Sequence, residues 1–242
     1  MKLSVVLPAY NEENTIGAAL DAVLGADLSS LPERVEKEVI VVDDASGDGT
    51  AEIVGSRPGV ILIRHERNRG KGAAIRTALT RVTGDVVLVQ DADMEYSVDD
   101  YPALLRPFLE EDARVVFGSR FLRRRRPTGM RFANYLANRV LTAAANVLFG
   151  AGITDEATCF KVLRADLMKD LPLRADGFDF CPEVTSLVRL RGVPIREVPI
   201  AYRARTRAEG KKVRWTDGFQ AIWTMLLYRL GIRSARKRQA GR

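Results

Sequence analysis

Short apolar runs alternate with amphipathic segments through the first half of the chain. Leu3-Ser4-Val5-Val6-Leu7-Pro8, Val39-Ile40-Val41-Val42, Val60-Ile61-Leu62-Ile63 and Asp85 to Gln90 read as buried strands. Between them, Asn11 to Leu24 reads as a helix with Ile16, Leu20, Val23 and Leu24 on one face and Asn11 as a cap. A second helix is expected from near Thr50 and a third over Gly70 to Val82. Continuously apolar strands separated by helices predict an α/β fold with a mostly parallel sheet covered on both faces. Such sheets bind ligands at the carboxyl ends of their strands. Those ends carry Tyr10-Asn11-Glu12, Asp43-Asp44 and Asp91-Ala92-Asp93, so three acidic strand ends converge on one edge.

The second half is less regular. Arg114 to Gly118 predicts a further strand, Arg123-Arg124-Arg125-Arg126-Pro127 a basic loop, and Met130 to Phe149 a long helix. That helix has apolar Phe132, Leu136, Val140, Val147 and Leu148 on one side. Its other side carries Asn134, Asn138, Thr142 and Asn146 at steps of four, a stripe expected to be solvated. Ile195 to Tyr202 predicts an edge strand, because Pro199 cannot donate to a ladder. Phe219, Ile222, Trp223, Leu226, Leu227 and Leu230 form the apolar stripe of a C-terminal helix that faces either core or lipid. Without a repeat or a clear linker, the expected organisation is one domain over residues 1–215, followed by an amphipathic helix and basic tail over 216–242.

Charge divides the domain. Residues 1–113 hold 11 Lys+Arg against 21 Asp+Glu, and residues 114–242 hold 27 against 10. An acidic half and a basic half suggest one part that holds metal and one that holds anions. Residues 114–139 contain eight arginines and no acid. Two cysteines 22 positions apart give no zinc motif and no disulfide scaffold, and a single histidine makes histidine-based metal or triad chemistry improbable. No segment has the pattern of a signal peptide or the ~20 apolar residues of a membrane span. The expected location is therefore cytoplasmic, or peripheral on the inner face of the membrane.

Asp91 and Asp93, one residue apart at a strand end, can share a hard divalent cation, with Glu95 as a third oxygen donor. Activity is then expected to turn on Asp91 and Asp93. Asp43-Asp44-Ala45-Ser46-Gly47-Asp48-Gly49-Thr50 is too acidic to cradle phosphate and suits hydrogen bonds to a base or ribose. Arg69-Gly70-Lys71-Gly72 opens a helix whose backbone N–H groups, with Lys71, could hold an anion. Neither a Gly-x-Gly-x-x-Gly nor a Walker pattern is present.

In order and spacing, Leu7-Pro8-Ala9-Tyr10-Asn11-Glu12, Asp43-Asp44 to Thr50, Gly70-Lys71-Gly72 and Asp91-Ala92-Asp93 resemble the family 2 glycosyltransferases of the GT-A fold. Phe117 to Phe121, Thr154-Asp155, Phe178-Asp179-Phe180, Glu197 to Ile200 and Arg205 to Lys212 resemble the dolichyl- and polyprenyl-phosphate sugar synthases among them. The resemblance implies inverting, metal-dependent transfer of a hexose, mannose or glucose, from a nucleotide-diphosphate sugar such as GDP-mannose to a polyprenyl phosphate. It implies that Pro8, Tyr10, Asn11, Glu12, Asp43 and Asp44, with Lys71, Asp91 and Ala92, hold the donor. Asp91, Asp93 and Glu95 would hold Mg²⁺ or Mn²⁺, and Arg120, Arg131, Arg205 and Lys211 the acceptor phosphate. Asp155 would orient acceptor or sugar, or serve as a structural acid.

A phosphate monoester is already anionic and needs no strong base, which fits a sequence with one histidine. A saccharide hydroxyl acceptor is the alternative, and it would make Asp155 indispensable as a base. A nucleic-acid partner is not expected, since the acidic strand ends would then lack purpose. An anionic membrane surface is expected to hold the C-terminal segment, where six basic residues and no acid lie between Arg229 and Arg242.

Overall fold

The computed structural model describes residues 1–124, 126–204 and 215–234. In chain order the strands are β1 (Lys2–Ala9), β2 (Glu36–Asp43), β3 (Val60–Arg64), β4 (Val86–Val89), β5 (Val115–Ser119), β6 (Lys161–Arg164) and β7 (Arg196–Pro199). The helices are α1 (Ile16–Gly25), α2 (Thr50–Gly55), α3 (Lys71–Leu79), α4 (Tyr101–Glu110), α5 (Arg120–Arg123), α6 (Phe132–Phe149), α7 (Ala165–Asp170), α8 (Phe180–Leu190) and α9 (Trp215–Arg229). All seven strands share one sheet, in the order β3-β2-β1-β4-β6-β5-β7. Successive residues of β4 and β5 are buried, so layers cover both faces of the sheet. This is the expected mostly parallel α/β architecture, with β7 at an edge.

β6 was not anticipated. It is antiparallel to both β4 and β5, while β1, β2, β3 and β4 are mutually parallel and β5 is parallel to β7. Lys161 hides this strand in the sequence because it reads as a solvated residue. It is fully buried, with Nζ donating to the Glu156 carbonyl and Thr185 Oγ1 and lying 3.7 Å from the centre of the Phe117 ring. Because β6 runs backwards, β4 and β5 point the same way. The loops after β1, β2, β4, β5 and β7 therefore open on one edge, and the acidic and basic halves meet there.

Three helix expectations are corrected. α1 begins at Ile16 rather than Asn11, because Asn11 takes a left-handed φ of 49° and serves the loop instead. α3 begins at Lys71 and ends at Leu79, short of Val82. The polar stripe of α6 is solvated only at its start: Asn134 is exposed, Asn146 is partly buried, and Asn138 and Thr142 are buried. In α9 the buried residues are Ala221, Thr224, Met225 and Tyr228, whereas Phe219, Trp223 and Leu230 of the expected stripe are exposed. Thr224 donates to Asp179 Oδ2 (3.2 Å) and Tyr228 to Glu183 Oε1 (2.7 Å), which fixes α9 on α8.

Candidate active site

Strained backbone marks the functional edge. Asn11 (φ 49°), Ala45 (φ 61°) and Met94 (φ 59°) lie in the loops that leave β1, β2 and β4. Such conformations are unfavourable for side-chain-bearing residues and gather where a site demands them. The first two loops interlock. The Asn11 N–H donates to Ser46 Oγ (2.9 Å), the Gly47 N–H to Asn11 Oδ1 (2.9 Å) and the Glu12 N–H to Thr50 Oγ1 (2.8 Å). Pro8 and Tyr10 stand on either side of the β1 terminus.

Asp43 and Asp44 end β2, both buried. Asp43 accepts the Ser46 N–H and lies 3.3 Å from Arg64 Nε. Asp44 accepts the Arg69 and Gly70 N–H groups (2.9 and 2.7 Å) and lies 2.6 Å from His65 Nδ1. His65 Nε2 in turn meets Thr77 Oγ1 on α3 at 2.9 Å. The sole histidine thus braces an acidic side chain that shapes the turn into α3.

The expected anion cradle at the start of α3 is corrected. The Gly72 and Ala73 N–H groups donate to the Asp176 carbonyl (2.7 and 3.2 Å), so the loop before α8 caps this helix from outside. The Gly70 N–H is held by Asp44. What faces the functional edge is the Lys71 ammonium, 2.5 Å from Asp91 Oδ1 and 3.3 Å from Cys159 Sγ. Burial works against that ammonium, but the Asp91 carboxylate outweighs it and lifts the Lys71 pKa well above its ordinary value.

Asp91, Ala92, Asp93 and Glu95 follow β4. Burial, then the like charges of Asp91 and Glu95, push the Asp93 carboxyl up to about 7. The Glu95 N–H donates to Asp93 Oδ1 (3.1 Å), and Tyr202 OH donates to Glu95 Oε2 (3.2 Å). Among the described residues no three His, Cys, Asp or Glu side chains stand ready-made as a metal cage. The donor set nevertheless fits a hard divalent cation. Three neighbouring carboxylates raise the proton affinity of the central one, and a cation would relieve the same crowding.

Across the edge, Arg120 follows β5 and is only 7% exposed. Its backbone N–H, Nε and Nη2 all donate to the fully buried Asp155, at 3.0, 2.6 and 2.7 Å. Asn138 Nδ2 of α6 donates to Asp155 Oδ1 (2.9 Å), and Glu197 of β7 accepts the Asp155 N–H (3.1 Å). Asp155 is therefore fully buried and held by Arg120 and Asn138. The guanidinium lies 5.1 Å from the centre of the Tyr202 ring and 6.0 Å from that of Tyr96. Arg120, Arg123 and Arg124 line a cavity of about 400 Å³ with Thr128 and Tyr202. Arg131 is exposed at the start of α6, and Arg205 and Lys211 lie outside the described residues.

Sequence reasoning gave no site role to Tyr202, Tyr96, Asn138 or His65, and quoted Glu197 only as part of a motif. The available signal for Asn138 was its place in a polar stripe on a helix with too few acids and bases for a solvated face.

Comparison with known proteins agrees with this geometry. Residues 4–171 match the family described as Glycosyl transferase family 2. The chain is 31% identical over 226 residues to the low-salt glycan biosynthesis hexosyltransferase Agl6 of Haloferax volcanii, covering 93% of this chain and 53% of that one. It thus spans about half the length of that relative. It is 30% identical over 260 residues to the undecaprenyl-phosphate mannosyltransferase of Micrococcus luteus, covering 96% of this chain and 100% of that one. Glucosyl-3-phosphoglycerate synthase from Mycobacterium tuberculosis, solved with UDP, superposes with a TM-score of 0.72 at 24% identity, covering 96% of this chain and 81% of that one. Solved with Mn²⁺, UDP and phosphoglyceric acid, it superposes with a TM-score of 0.70 at 28% identity, covering 96% and 80%. The GT-A sheet, the acidic strand ends along its functional edge and the match over residues 4–171 converge: the chain belongs to glycosyl transferase family 2 and is a glycosyltransferase.

Proposed function

We propose that the enzyme transfers a hexose, mannose or glucose, with inversion from a GDP- or UDP-sugar to the phosphate of a polyprenyl lipid. The observation that carries this reading is the Arg120–Asp155 pair. A bidentate, buried carboxylate holds one guanidinium beside a cavity that two further arginines line, on the same sheet edge as Asp91 and Asp93. A fixed arginine is suited to a phosphate monoester through paired N–H donors. The similarity to the undecaprenyl-phosphate mannosyltransferase of Micrococcus luteus supports the same acceptor class.

The residues divide the work by charge. Pro8, Tyr10, Asn11 and Glu12 with the Asp43-Asp44 turn receive the nucleoside. Asp91, Asp93 and Glu95 would hold Mg²⁺ or Mn²⁺, a reading supported by the similar glucosyl-3-phosphoglycerate synthase having been solved with Mn²⁺ and UDP. Bound there, the cation would neutralise charge developing on the leaving nucleoside diphosphate. Lys71, already against Asp91, is placed to meet the same diphosphate. Arg120 orients the acceptor, with Arg131, Arg205 and Lys211 as further cations for it. A hydroxyl acceptor would need a base, and Asp155 accepts four hydrogen bonds and stands away from solvent. A polyprenyl phosphate resides in a membrane, so the enzyme acting on it would be a peripheral protein of the cytoplasmic face.

The test is a panel of nucleotide sugars incubated with polyprenyl phosphate and Mg²⁺ or Mn²⁺, with radioactive transfer into organic solvent as the readout. Transfer from one GDP- or UDP-hexose is expected, abolished by EDTA and restored by metal. Transfer to free saccharides with none to the lipid would overturn the acceptor assignment.

A further inference from the structure

Helix α6 carries a large apolar face that the core does not use. Its inner side mixes Leu141, Ala145 and Leu148 with Asn138, which reaches Asp155, and Thr142, whose Oγ1 accepts the Glu156 N–H. Four apolar residues point outward: Phe132 is 63% and Val147 83% exposed, and Leu136 and Val140 are about half exposed. Positions 132, 136, 140 and 147 fall on one side of an α-helix. α9, which packs against α6, repeats the arrangement, leaving Trp223 (61%) and Leu230 (69%) outside. Large apolar side chains left exposed on two helices that pack together mark an interaction surface.

Charge selects the occupant. No acidic residue occurs between Arg114 and Thr154, and Arg123, Arg124, Arg131 and Arg139 are all exposed. Two such faces would repel one another, which disfavours a second copy of the chain. An anionic lipid leaflet offers hydrocarbon to the apolar side chains and negative headgroups to the arginines. No described helix is long and apolar enough to cross a membrane, so such contact would be interfacial. We propose that α6, with α9 beside it, is a docking surface that lays the enzyme on an anionic leaflet. Phe132, Leu136, Val140 and Val147 would enter the headgroup boundary. Pro127 and Thr128, which line the basic cavity with Arg120, Arg123 and Arg124, lie just before α6. Docking therefore sets that cavity beside the headgroups. The biological meaning of this contact rests on the lipid-phosphate reading above, but its measurement does not.

The experiment uses the full chain with vesicles of phosphatidylcholine, alone or mixed with phosphatidylglycerol, free of polyprenyl phosphate and nucleotide sugar. Co-sedimentation with the mixed vesicles is expected, weakened by salt. Leu136→Glu and Val147→Glu should each lower partitioning about tenfold or more, since each removes a buried apolar side chain from the lipid contact. Asn134→Glu places the same charge on the opposite side of α6 and should bind like the wild type. Circular dichroism of the variants confirms that α6 is intact. Equal binding by wild type, Leu136→Glu and Val147→Glu would overturn the proposal, as would no binding by the wild type. A dimer in light scattering that these two variants dissociate, with no vesicle binding, would assign the face to a second copy instead.

Discussion

Both carboxylate oxygens of Asp155 accept from the Arg120 guanidinium, and Oδ1 also accepts from Asn138, which makes Arg120 dependent on it. Breaking a buried ion pair by deleting one partner leaves the other charge uncompensated. Asp155→Ala is therefore expected to destabilise the fold by about 3–5 kcal/mol in urea denaturation. Asp155→Asn keeps the shape and should raise the acceptor KM while nucleotide affinity, read by calorimetry, stays near that of the wild type. Asp93 presents the opposite case. Its folded-state pKa of about 7 lies above its unfolded value of 3.8, so the native state binds the extra proton between those limits. Without metal, this residue withdraws stability as pH rises from about 4 to about 7. Asp93→Asn lacks that penalty. Metal-free, it should match the wild type in thermal unfolding near pH 3, below the unfolded-state value, and exceed it by several degrees at pH 8, while losing metal-dependent activity. Tyr202 touches both sides of the site, with its hydroxyl on Glu95 and its ring against Arg120. A hydrogen bond to a charged group contributes about 1.5–3 kcal/mol. Tyr202→Phe should therefore raise the metal concentration needed for half-maximal activity about tenfold or more.

At the scale of elements, the start of α3 is held by backbone contact as much as by side chains. A Cβ on Gly72 would overlap the Ala175 carbonyl, and the same loop gives its Asp176 carbonyl to the Gly72 and Ala73 N–H groups. Gly72→Ala should cost about 1–3 kcal/mol of stability, the usual penalty of overpacking. It should also weaken donor binding, because Lys71 moves with the turn. Elements with one dominant period were legible in the sequence. β1, β2, β3, β4 and β5 follow from continuous apolar runs, and β7 from an apolar run broken by Pro199. β6 was not legible because it opens on Lys161, a residue type ordinarily found in solvent that is here buried against Phe117 and Thr185. The face of α6 was inverted for a related reason. Periodicity says which residues share a side, but the buried side was set by the need of Asp155 for a neutral donor, which Asn138 supplies. In the site, the acidic strand ends could be read directly. The capping of α3 by residue 176, about 100 positions away, could not, because it is a backbone contact that leaves no trace in side-chain chemistry.

For the whole molecule, the uneven distribution of charge along the chain becomes a spatial one. Acidic loops from β1, β2 and β4 and basic loops from β5 and β7 open on the same edge because β6 alone runs backwards. That strand also governs how the protein can be made. β6 stands between β4 and β5 in space but follows both in sequence. As the chain leaves the ribosome, β1 to β4 can assemble once residue 89 has emerged, yet β5 must wait for β6 before it has a partner linking it to them. Until residue 164 is out, β4 offers a fully buried-type strand, Val86-Val87-Leu88-Val89, with one bare edge. Unpaired apolar edges of this kind recruit other chains. A fragment ending at residue 113 is accordingly expected to form soluble oligomers or precipitate in size-exclusion chromatography, whereas the full chain does not. Synthesis of this enzyme thus contains an interval of about 75 residues, several seconds at ordinary elongation rates, during which its future active edge is half assembled and in need of shielding.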